Sequence, residues 1–215
     1  MLFQMIYLAI GASFIVSLSN YTRVEVPLYL KCFTPFLGVT LLVEGCGRYL
    51  VNHGHPTYIL YNIFTSLEFL FYLYVLNCII NNSSLRLMIR YIQIFIALLA
   101  IVNILFIQTD TFTSITYSFG CLFIIFFSIY FFYDLFRNAE PANLTKNSSF
   151  WICLALLFYY CASFPLLGLT NFLSNIPLDV LNNLHTLLGV MNILLYTLFI
   201  IAFLCRGKTP KYTSQ

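Results

Sequence analysis

Long apolar segments alternate with short polar ones along the whole chain, and seven of the apolar segments are long enough to cross a bilayer. A hydrocarbon core of about 30 Å needs roughly 20 predominantly apolar residues in a helix. The predicted spans run from Leu2 to Leu18, Leu28 to Val51, Tyr58 to Ile80, Leu87 to Ile107, Phe112 to Tyr133, Phe150 to Leu173 and Leu184 to Cys205. The pattern predicts an all-α integral membrane protein, with a single seven-helix domain over residues 1–215.

The basic residues lie almost entirely on one side of these spans. If the N-terminus is outside, nine of the ten Lys and Arg residues lie in or beside cytoplasmic loops, and only Arg48 lies outside. The nine are Arg23, Lys31, Arg86, Arg90, Arg137, Lys146, Arg206, Lys208 and Lys211. Because Lys and Arg accumulate in cytoplasmic loops, we expect the N-terminus outside and the C-terminus in the cytoplasm.

Composition agrees with a membrane protein. The chain is 61% hydrophobic and 8% charged, whereas soluble domains carry about 25% charged residues. The net charge of +3 comes from residues that flank the spans, so we expect the lipid bilayer and not nucleic acid as the partner.

Two parts of the chain resemble each other. Pro35–Thr40 in the second span and Pro165–Thr170 in the sixth share the pattern Pro, bulky apolar, Leu, Gly, branched apolar, Thr. In the spans that follow, Tyr61, Glu68 and Tyr72 have the spacing of His185, Asn192 and Tyr196. This pattern suggests a 3+1+3 parallel repeat, with units 1–80 and 112–206 joined by a linker helix over 87–107. Parallel repeats with a site at their interface occur in transporters. Chance is the alternative, since Pro, Gly and Thr are ordinary in membrane helices.

The repeated motif supplies four hinge candidates, namely Pro35, Gly38, Pro165 and Gly168. Each proline removes a backbone hydrogen bond and kinks its helix, and the glycine that follows permits close helix contact. Matched kinks fit a rocking motion, and they equally fit a static bundle.

Polar residues inside the spans are the candidate site, because an ionisable group in the bilayer is costly and is often functional. They gather toward the outer side, which predicts an outward-facing polar pocket. The candidates are Glu44, Arg48, Tyr61, Asn62, Glu68, Asn103, His185 and Asn192. Glu44 and Arg48 have the spacing of an ion pair, which could be only a neutralised pair near the interface. Glu68 could likewise be a protonated carboxyl that fixes helix packing.

No catalytic motif is present, neither a phosphate-binding glycine loop nor a metalloprotease or nucleophile-elbow sequence. His53 and His55 lack the further ligands that a zinc site requires. The sequence thus favours a non-enzymatic protein with no metal site and no cofactor.

Several stretches resemble an uncharacterised family of seven-transmembrane-helix proteins of Bacteroidota. They are Tyr61–Phe69, which contains Glu68, together with Val102–Gln108, Tyr130–Tyr133, Phe150–Ile152 and the position of His185. Members often carry an Arg and a Glu in the fifth span, whereas Tyr117–Gly120 has neither. The resemblance implies a bacterial inner membrane and no particular activity.

Two function classes remain open. The first is a small receptor-like or partner-binding regulatory subunit, whose outward pocket binds an unknown small molecule or whose surface binds a membrane protein or a second copy of the chain. The second is a carrier or channel for a small solute, in which the repeat supplies alternating access and Glu68 couples protons. Outer polarity and the N-out plan favour the first by architectural analogy.

Overall fold

The computed structural model describes residues 2–21, 26–137, 144–168 and 178–205, without the side chains of Phe3 and of residues 178–182. These residues form seven α-helices and no strand. The helices are α1 (Leu2–Tyr21), α2 (Leu28–Asn52), α3 (Tyr58–Ile79), α4 (Ser83–Val102), α5 (Ser114–Arg137), α6 (Ser148–Leu167) and α7 (Leu178–Leu204). A π-helical segment, Asn103–Ile107, continues α4, and a 3₁₀ turn, Leu144–Lys146, precedes α6.

Six of the helices are long and apolar enough to cross a membrane. These spans are Leu28–Asn52, Tyr58–Ile79, Ser83–Ile107, Ser114–Arg137, Ser148–Leu167 and Asn183–Leu204. Large apolar side chains also cover the outside of the bundle, including Leu8 at 72% exposed and Phe106 at 78%. Exposed apolar surface on this scale requires an apolar surrounding. The prediction of an all-helical membrane protein is therefore confirmed.

The helix boundaries differ from the predicted spans at several ends. α7 begins at Leu178, six residues before the predicted span, and α5 continues past Tyr133 to Arg137. In both places the helix extends beyond the apolar stretch, so hydropathy alone does not predict where the helix begins or ends. The predicted end of the sixth span at Leu173 lies outside the described residues.

Capping groups and one glycine explain where helices begin and end. The Asn82 side chain accepts from the backbone N–H groups of Ser84 (3.0 Å) and Leu85 (3.3 Å) at the start of α4. Asn147 does the same for α6 through the N–H of Ser149, at 2.9 Å. These are the N-cap contacts that satisfy otherwise unpaired donors. Beyond α2, Gly54 has a φ of 71°, a left-handed conformation that favours glycine.

Six helices form a closed ring. Around it α1 packs against α2, α2 against α3, α3 against α5, α5 against α6, α6 against α7 and α7 against α1. α4 lies outside this ring against α3 and α5, and its outer surface exposes Leu87, Tyr91, Ile94, Leu98 and Ile101. We call the end that holds the N-termini of α2 and α6 the inner end, after the predicted orientation, and the opposite end the outer end.

Aromatic side chains fill the inner half of the ring. Phe33 on α2 lies 5.1 Å from Phe199 and 5.3 Å from Phe203, both on α7, between ring centroids. Tyr72 on α3 lies 6.1 Å from Phe199. All four side chains are almost completely buried. Edge-to-face pairs of this kind add to the packing of the core, so the inner half of the ring is closed by a layer that we call the aromatic layer.

Candidate functional site

Glu44 and Arg48 each have a tyrosine as their partner. The Tyr61 hydroxyl donates to Glu44 Oε2 at 3.4 Å, and the Tyr7 hydroxyl donates to the Glu44 backbone oxygen at 2.9 Å. The exposed Arg48 guanidinium lies over the Tyr7 ring, 5.9 Å from its centroid, a cation–π contact. These partners replace the expected Glu44–Arg48 ion pair in the described part of the chain. The four residues join α1, α2 and α3 at the outer end.

Asn62 is buried, and both the nitrogen and the oxygen of its amide are hydrogen-bonded. Its Nδ2 donates to the Thr111 backbone oxygen at 2.9 Å, and its Oδ1 accepts from the backbone N–H and the hydroxyl of Thr113, at 3.0 and 3.2 Å. The side chain therefore anchors the segment between α4 and α5 to α3. These bonds assign Asn62 a structural role.

Asn103 forms a second anchor, at the π-helical end of α4. Its Nδ2 donates to Gln108 Oε1 (3.0 Å) and to Thr116 Oγ1 (2.9 Å). Gln108 in turn donates to Ser114 Oγ at 3.1 Å. The network ties α4 to the first turn of α5, and the buried Asn103 Oδ1 has no hydrogen-bond partner. Although π-helical turns are frequent at functional sites, Asn103 is the one buried residue of this turn and Leu105, Phe106 and Ile107 are exposed on its outside.

Glu68 lies inside the ring among tyrosines. Its carboxylate approaches the hydroxyls of Tyr72 on α3 and Tyr160 on α6. Both hydroxyls are completely buried and form no hydrogen bond of normal geometry. As a whole residue Glu68 is half-buried, whereas Tyr72 and Tyr160 are completely buried. A charge in this position is costly unless it is protonated or paired.

Further tyrosines surround this group from α5, α6 and α7. Tyr117, Tyr159 and Tyr196 lie in the neighbourhood of Glu68. Glu44 approaches the same group from the outer end. On α7, Asn192 lies beside the Tyr159 hydroxyl and donates to the Leu188 backbone oxygen at 3.2 Å. The structure thus brings Glu68 and Asn192 into one cluster with five tyrosines, which we call the tyrosine cluster: Tyr72, Tyr117, Tyr159, Tyr160 and Tyr196.

His185 lies apart from this cluster. Its side chain is exposed near the outer end of α7. The eight predicted site residues therefore divide into an outer group on α1–α3, two structural anchors, an exposed histidine and the pair Glu68 and Asn192. Of these groups, the cluster that contains Glu68 is the one to which the structure adds the most neighbours.

The hinge candidates lie at different depths, Pro35 in the inner third of α2 and Pro165 in the last described turn of α6, at its outer end. Pro35 lies inside α2 and Pro165 inside α6. A side chain added at Gly38 would meet Phe14 on α1 at 3.4 Å, and one added at Gly168 would meet Ser118 Oγ on α5 at 2.7 Å. Both glycines therefore lie close to the helix that precedes their own in the chain. The last two residues of the second motif, Leu169 and Thr170, lie outside the described residues.

A cavity of about 290 Å³ opens at the inner end, between the N-termini of α2 and α6 and the C-terminal parts of α3 and α5. Its polar lining includes Tyr29, Asn81, Asp134, Asn147 and Ser149. The buried hydroxyls of Tyr29 and Ser149 lie 3.0 Å apart across it. Sequence reasoning did not anticipate this cavity, because its residues lie at the ends of four different helices.

The tyrosine cluster was also largely missed from sequence. Its members were interpreted as part of a general bias toward aromatic residues, since the chain has 16 Tyr and 23 Phe. One sequence pattern pointed to the cluster: Glu68 and Tyr72 are separated by the same number of residues as Asn192 and Tyr196. Nothing in the sequence placed Tyr159 and Tyr160 opposite them.

In the described residues, no three His, Cys, Asp or Glu side chains converge as a metal site would require. The chain matches no family model, no curated protein and no solved structure. The class of the protein is therefore defined by its own fold: it is a polytopic α-helical membrane protein.

Proposed function

We propose that this protein is a proton-coupled carrier for a small solute and that Glu68 is its coupling residue. One observation carries the proposal, namely the carboxylate of Glu68 inside a ring of membrane helices, beside the completely buried hydroxyls of Tyr72 and Tyr160. A group of this kind can hold a proton or a solute in turn. Intramembrane carboxylates with such surroundings commonly mark proton or solute pathways.

The difference in burial between the outer and inner halves of the ring supports an outward-facing state. On α3, Tyr61, Thr65 and Glu68 share one face and are half-buried, whereas Tyr72 in the next turn is completely buried. The aromatic layer then fills the space below. We propose that a path from the outer end reaches Glu68 and that the aromatic layer separates it from the inner cavity.

The helix contacts support the proposed repeat of α1–α3 and α5–α7. The contacts of α1 with α2 and α2 with α3 correspond to those of α5 with α6 and α6 with α7. The contact between α3 and α5 corresponds to that between α7 and α1. α4 has no counterpart and is the linker. Rocking of the two units against each other would then close the outer path and open the inner cavity.

The proposal includes α1 as a seventh span, with the N-terminus outside and the C-terminus in the cytoplasm. The 20-residue length of α1 and its contacts at both ends support this topology. α1 runs antiparallel to α2, where Tyr7 meets the outer end, and parallel to α7, where Asn20 donates to the Phe203 backbone oxygen at the inner end. We place the protein in a bacterial inner membrane, on the resemblance to the Bacteroidota family.

A receptor-like or partner-binding subunit is the second candidate. The exposure of Arg48 and His185 at the outer end favours it, because exposed polar groups beside the membrane surface can bind a ligand or another protein.

Reconstitution of the full chain into liposomes tests the carrier. The vesicles enclose a membrane-impermeant pH indicator, and solutes of four classes (amines, amino acids, sugars and carboxylates) are added outside. We expect one class to move protons across the membrane, and we expect Glu68→Gln to abolish this movement. Asp110→Asn, which alters a carboxyl at an exposed outer position, is the matched control and should behave like the wild type. Absence of proton movement with every class would refute the proposal.

A further inference from the structure

We infer that the cavity at the inner end binds a primary ammonium group, of a small free amine or of an aminoalkyl lipid headgroup, with Asp134 as its counter-charge. The inference goes beyond the carrier proposal and does not depend on it. It starts from a space of about 290 Å³ that opens at the inner end of the ring. Ligand pockets in proteins begin at about this size, so the cavity has room for a small molecule.

The charge of the lining favours a cation. Asp134 on α5 is the one charged residue among the described residues that line the cavity. Arg86 donates from Nε to the backbone oxygen of Ile80, beside the cavity, and is not part of the lining. The N-termini of α2 and α6 meet the C-terminal parts of α3 and α5 here, so the helix dipoles largely offset each other. Asp134 would therefore pair with a cation, whereas an anion would meet it as a like charge.

Hydrogen-bond acceptors in the same lining favour an ammonium group that carries N–H donors over a quaternary one. The hydroxyl oxygens of Tyr29 and Ser149 lie 3.0 Å apart and share one hydrogen bond. Each hydroxyl oxygen has two lone pairs, so the pair keeps capacity to accept from a ligand. The exposed Asn81 adds an amide oxygen at the mouth of the cavity. A primary ammonium group has three N–H donors, which Asp134 and two of these oxygens can accept.

The remainder of the lining suits a short alkyl chain. Pro27 precedes α2, Ile79 ends α3, and Phe131 and Leu135 lie on α5. Burial of a few methylene groups against these side chains adds to the affinity. One carboxylate, several acceptors and an apolar wall together match an aminoalkyl group. This group occurs in free amines such as butylamine and in the headgroup of phosphatidylethanolamine.

Binding is tested on the purified full chain in mild detergent, with butylamine and its neutral analogue butanol. We expect butylamine to bind, butanol and tetramethylammonium to bind at least tenfold more weakly, and butyrate not to bind. Asp134→Asn should weaken butylamine binding at least tenfold, whereas Asp110→Asn, at the outer end, should retain it. Thermal unfolding of both variants without ligand shows whether they are folded.

Cysteine labelling gives a second measurement, which needs no variant. Cys78 is exposed and lines the cavity, whereas the exposed Cys46 lies near the outer end of α2. Butylamine should slow the labelling of Cys78 by a maleimide at least threefold and leave that of Cys46 unchanged in the same reaction, as quantified by mass spectrometry of the peptides.

The same labelling in vesicles distinguishes the two sources of the ammonium group. The full chain is reconstituted in phosphatidylethanolamine or in phosphatidylcholine, whose quaternary headgroup has no N–H donor. Slower labelling of Cys78 in phosphatidylethanolamine, without added amine, would identify the lipid headgroup as the ligand. Equal labelling in both lipids, slowed by butylamine, would identify a free amine.

Equal binding of butylamine and either butanol or tetramethylammonium would overturn the inference, as would full butylamine affinity in Asp134→Asn. Labelling of Cys78 that neither butylamine nor phosphatidylethanolamine slows would also overturn it. Butylamine binding that depends on Asp134, without flux of any solute in liposomes, would support the ammonium site and refute the carrier. Flux that depends on Glu68, without amine binding at the inner end, would support the carrier and refute the ammonium site.

Discussion

The hydroxyls of Tyr29 on α2 and Ser149 on α6 lie 3.0 Å apart, and both side chains are buried at the inner end of the ring. α2 and α6 are the two helices that contain the proline–glycine motif. The hydrogen bond therefore joins corresponding helices of the two proposed units, in the wall of the inner cavity. If the units rock apart, this bond must break.

Tyr29→Phe should destabilise the protein by about 1–3 kcal/mol, because it leaves the buried Ser149 hydroxyl without its partner. The measurement is thermal unfolding in detergent. Tyr91→Phe on the exposed face of α4, where the tyrosine is 64% exposed, is the control and should be neutral. If the carrier proposal holds, Tyr29→Phe should also raise the rate at which the inner end opens, seen as faster labelling of the buried Cys153 by a permeant maleimide. Wild-type stability and labelling would contradict a closing role for this bond.

Asn62→Ala should cost more stability than Asn82→Ala. Asn62 forms two buried hydrogen bonds with Thr113 and a part-buried one with Thr111. Asn82 caps α4 in an exposed position, where a cap is worth about 1 kcal/mol. Thermal unfolding of the two variants makes the comparison. Since Asn62 is an anchor, the folded fraction of Asn62→Ala should bind solute as the wild type does. Selective loss of binding at wild-type stability would instead return Asn62 to the candidate site.

Gly120→Ala should destabilise the contact between α3 and α5. A Cβ atom at Gly120 would lie 2.6 Å from ring atoms of Phe69, whose side chain is completely buried and has no free direction of movement. Overpacking of this kind typically costs about 1–3 kcal/mol. Gly11→Ala is the matched control, because nothing lies within 4 Å of a Cβ atom there. Equal unfolding temperatures for the two variants would show that α3 and α5 are less closely packed than described.

Sequence patterning anticipated the helices because the bilayer imposes a minimum apolar length that is visible residue by residue. It could not anticipate the closed ring with α4 outside, since the outer face of α4, with Leu87 and Leu98, is as apolar as the packed faces of its neighbours. In a water-soluble protein the exposed face of such a helix would be polar, and the sequence would show which face is exposed. In lipid both faces are apolar, so hydropathy does not distinguish contact with protein from contact with acyl chains.

The candidate site was predictable only in part, for a related reason. An ionisable side chain inside the bilayer is costly, and this identifies Glu68 from the sequence. The spacing from Glu68 to Tyr72 is the same as that from Asn192 to Tyr196. The same argument selected Asn62 and Asn103, which serve as anchors, because an amide in a membrane helix is equally unusual whether it binds a ligand or a backbone group. A tyrosine in a membrane helix carries no such cost, so the sequence does not single out Tyr159 and Tyr160, although they complete the surroundings of Glu68.

The seven-span topology predicts where reporter fusions will be active. Fusions after Asp110 and Asp179 should report the outside, and fusions after Asn81, Glu140 and Lys208 should report the cytoplasm. Asp179, Glu140 and Lys208 fall where the structure describes no side chain or no residue, so the experiment also tests those connections. A fusion at Asn81 that reports the outside would remove α1 as a span and, with it, the first repeat unit.

The carrier and the receptor-like subunit differ in which residues are essential. For a carrier, Glu68→Gln should abolish proton-coupled flux, while Arg48→Gln and His185→Gln should change it less than about twofold, because both side chains are exposed and stand apart from the tyrosine cluster. For a partner-binding subunit the pattern reverses, since Gln reproduces the hydrogen bonding of a protonated Glu68 and the outer residues would contact the partner. Purification in mild detergent from the native membrane, followed by flux measurements on the same variants in liposomes, separates the two. A stoichiometric protein partner that is lost in Arg48→Gln or His185→Gln, together with no flux in the wild type, would replace the carrier by the subunit. A lone protein whose flux depends on Glu68 and not on the two outer residues would exclude the subunit.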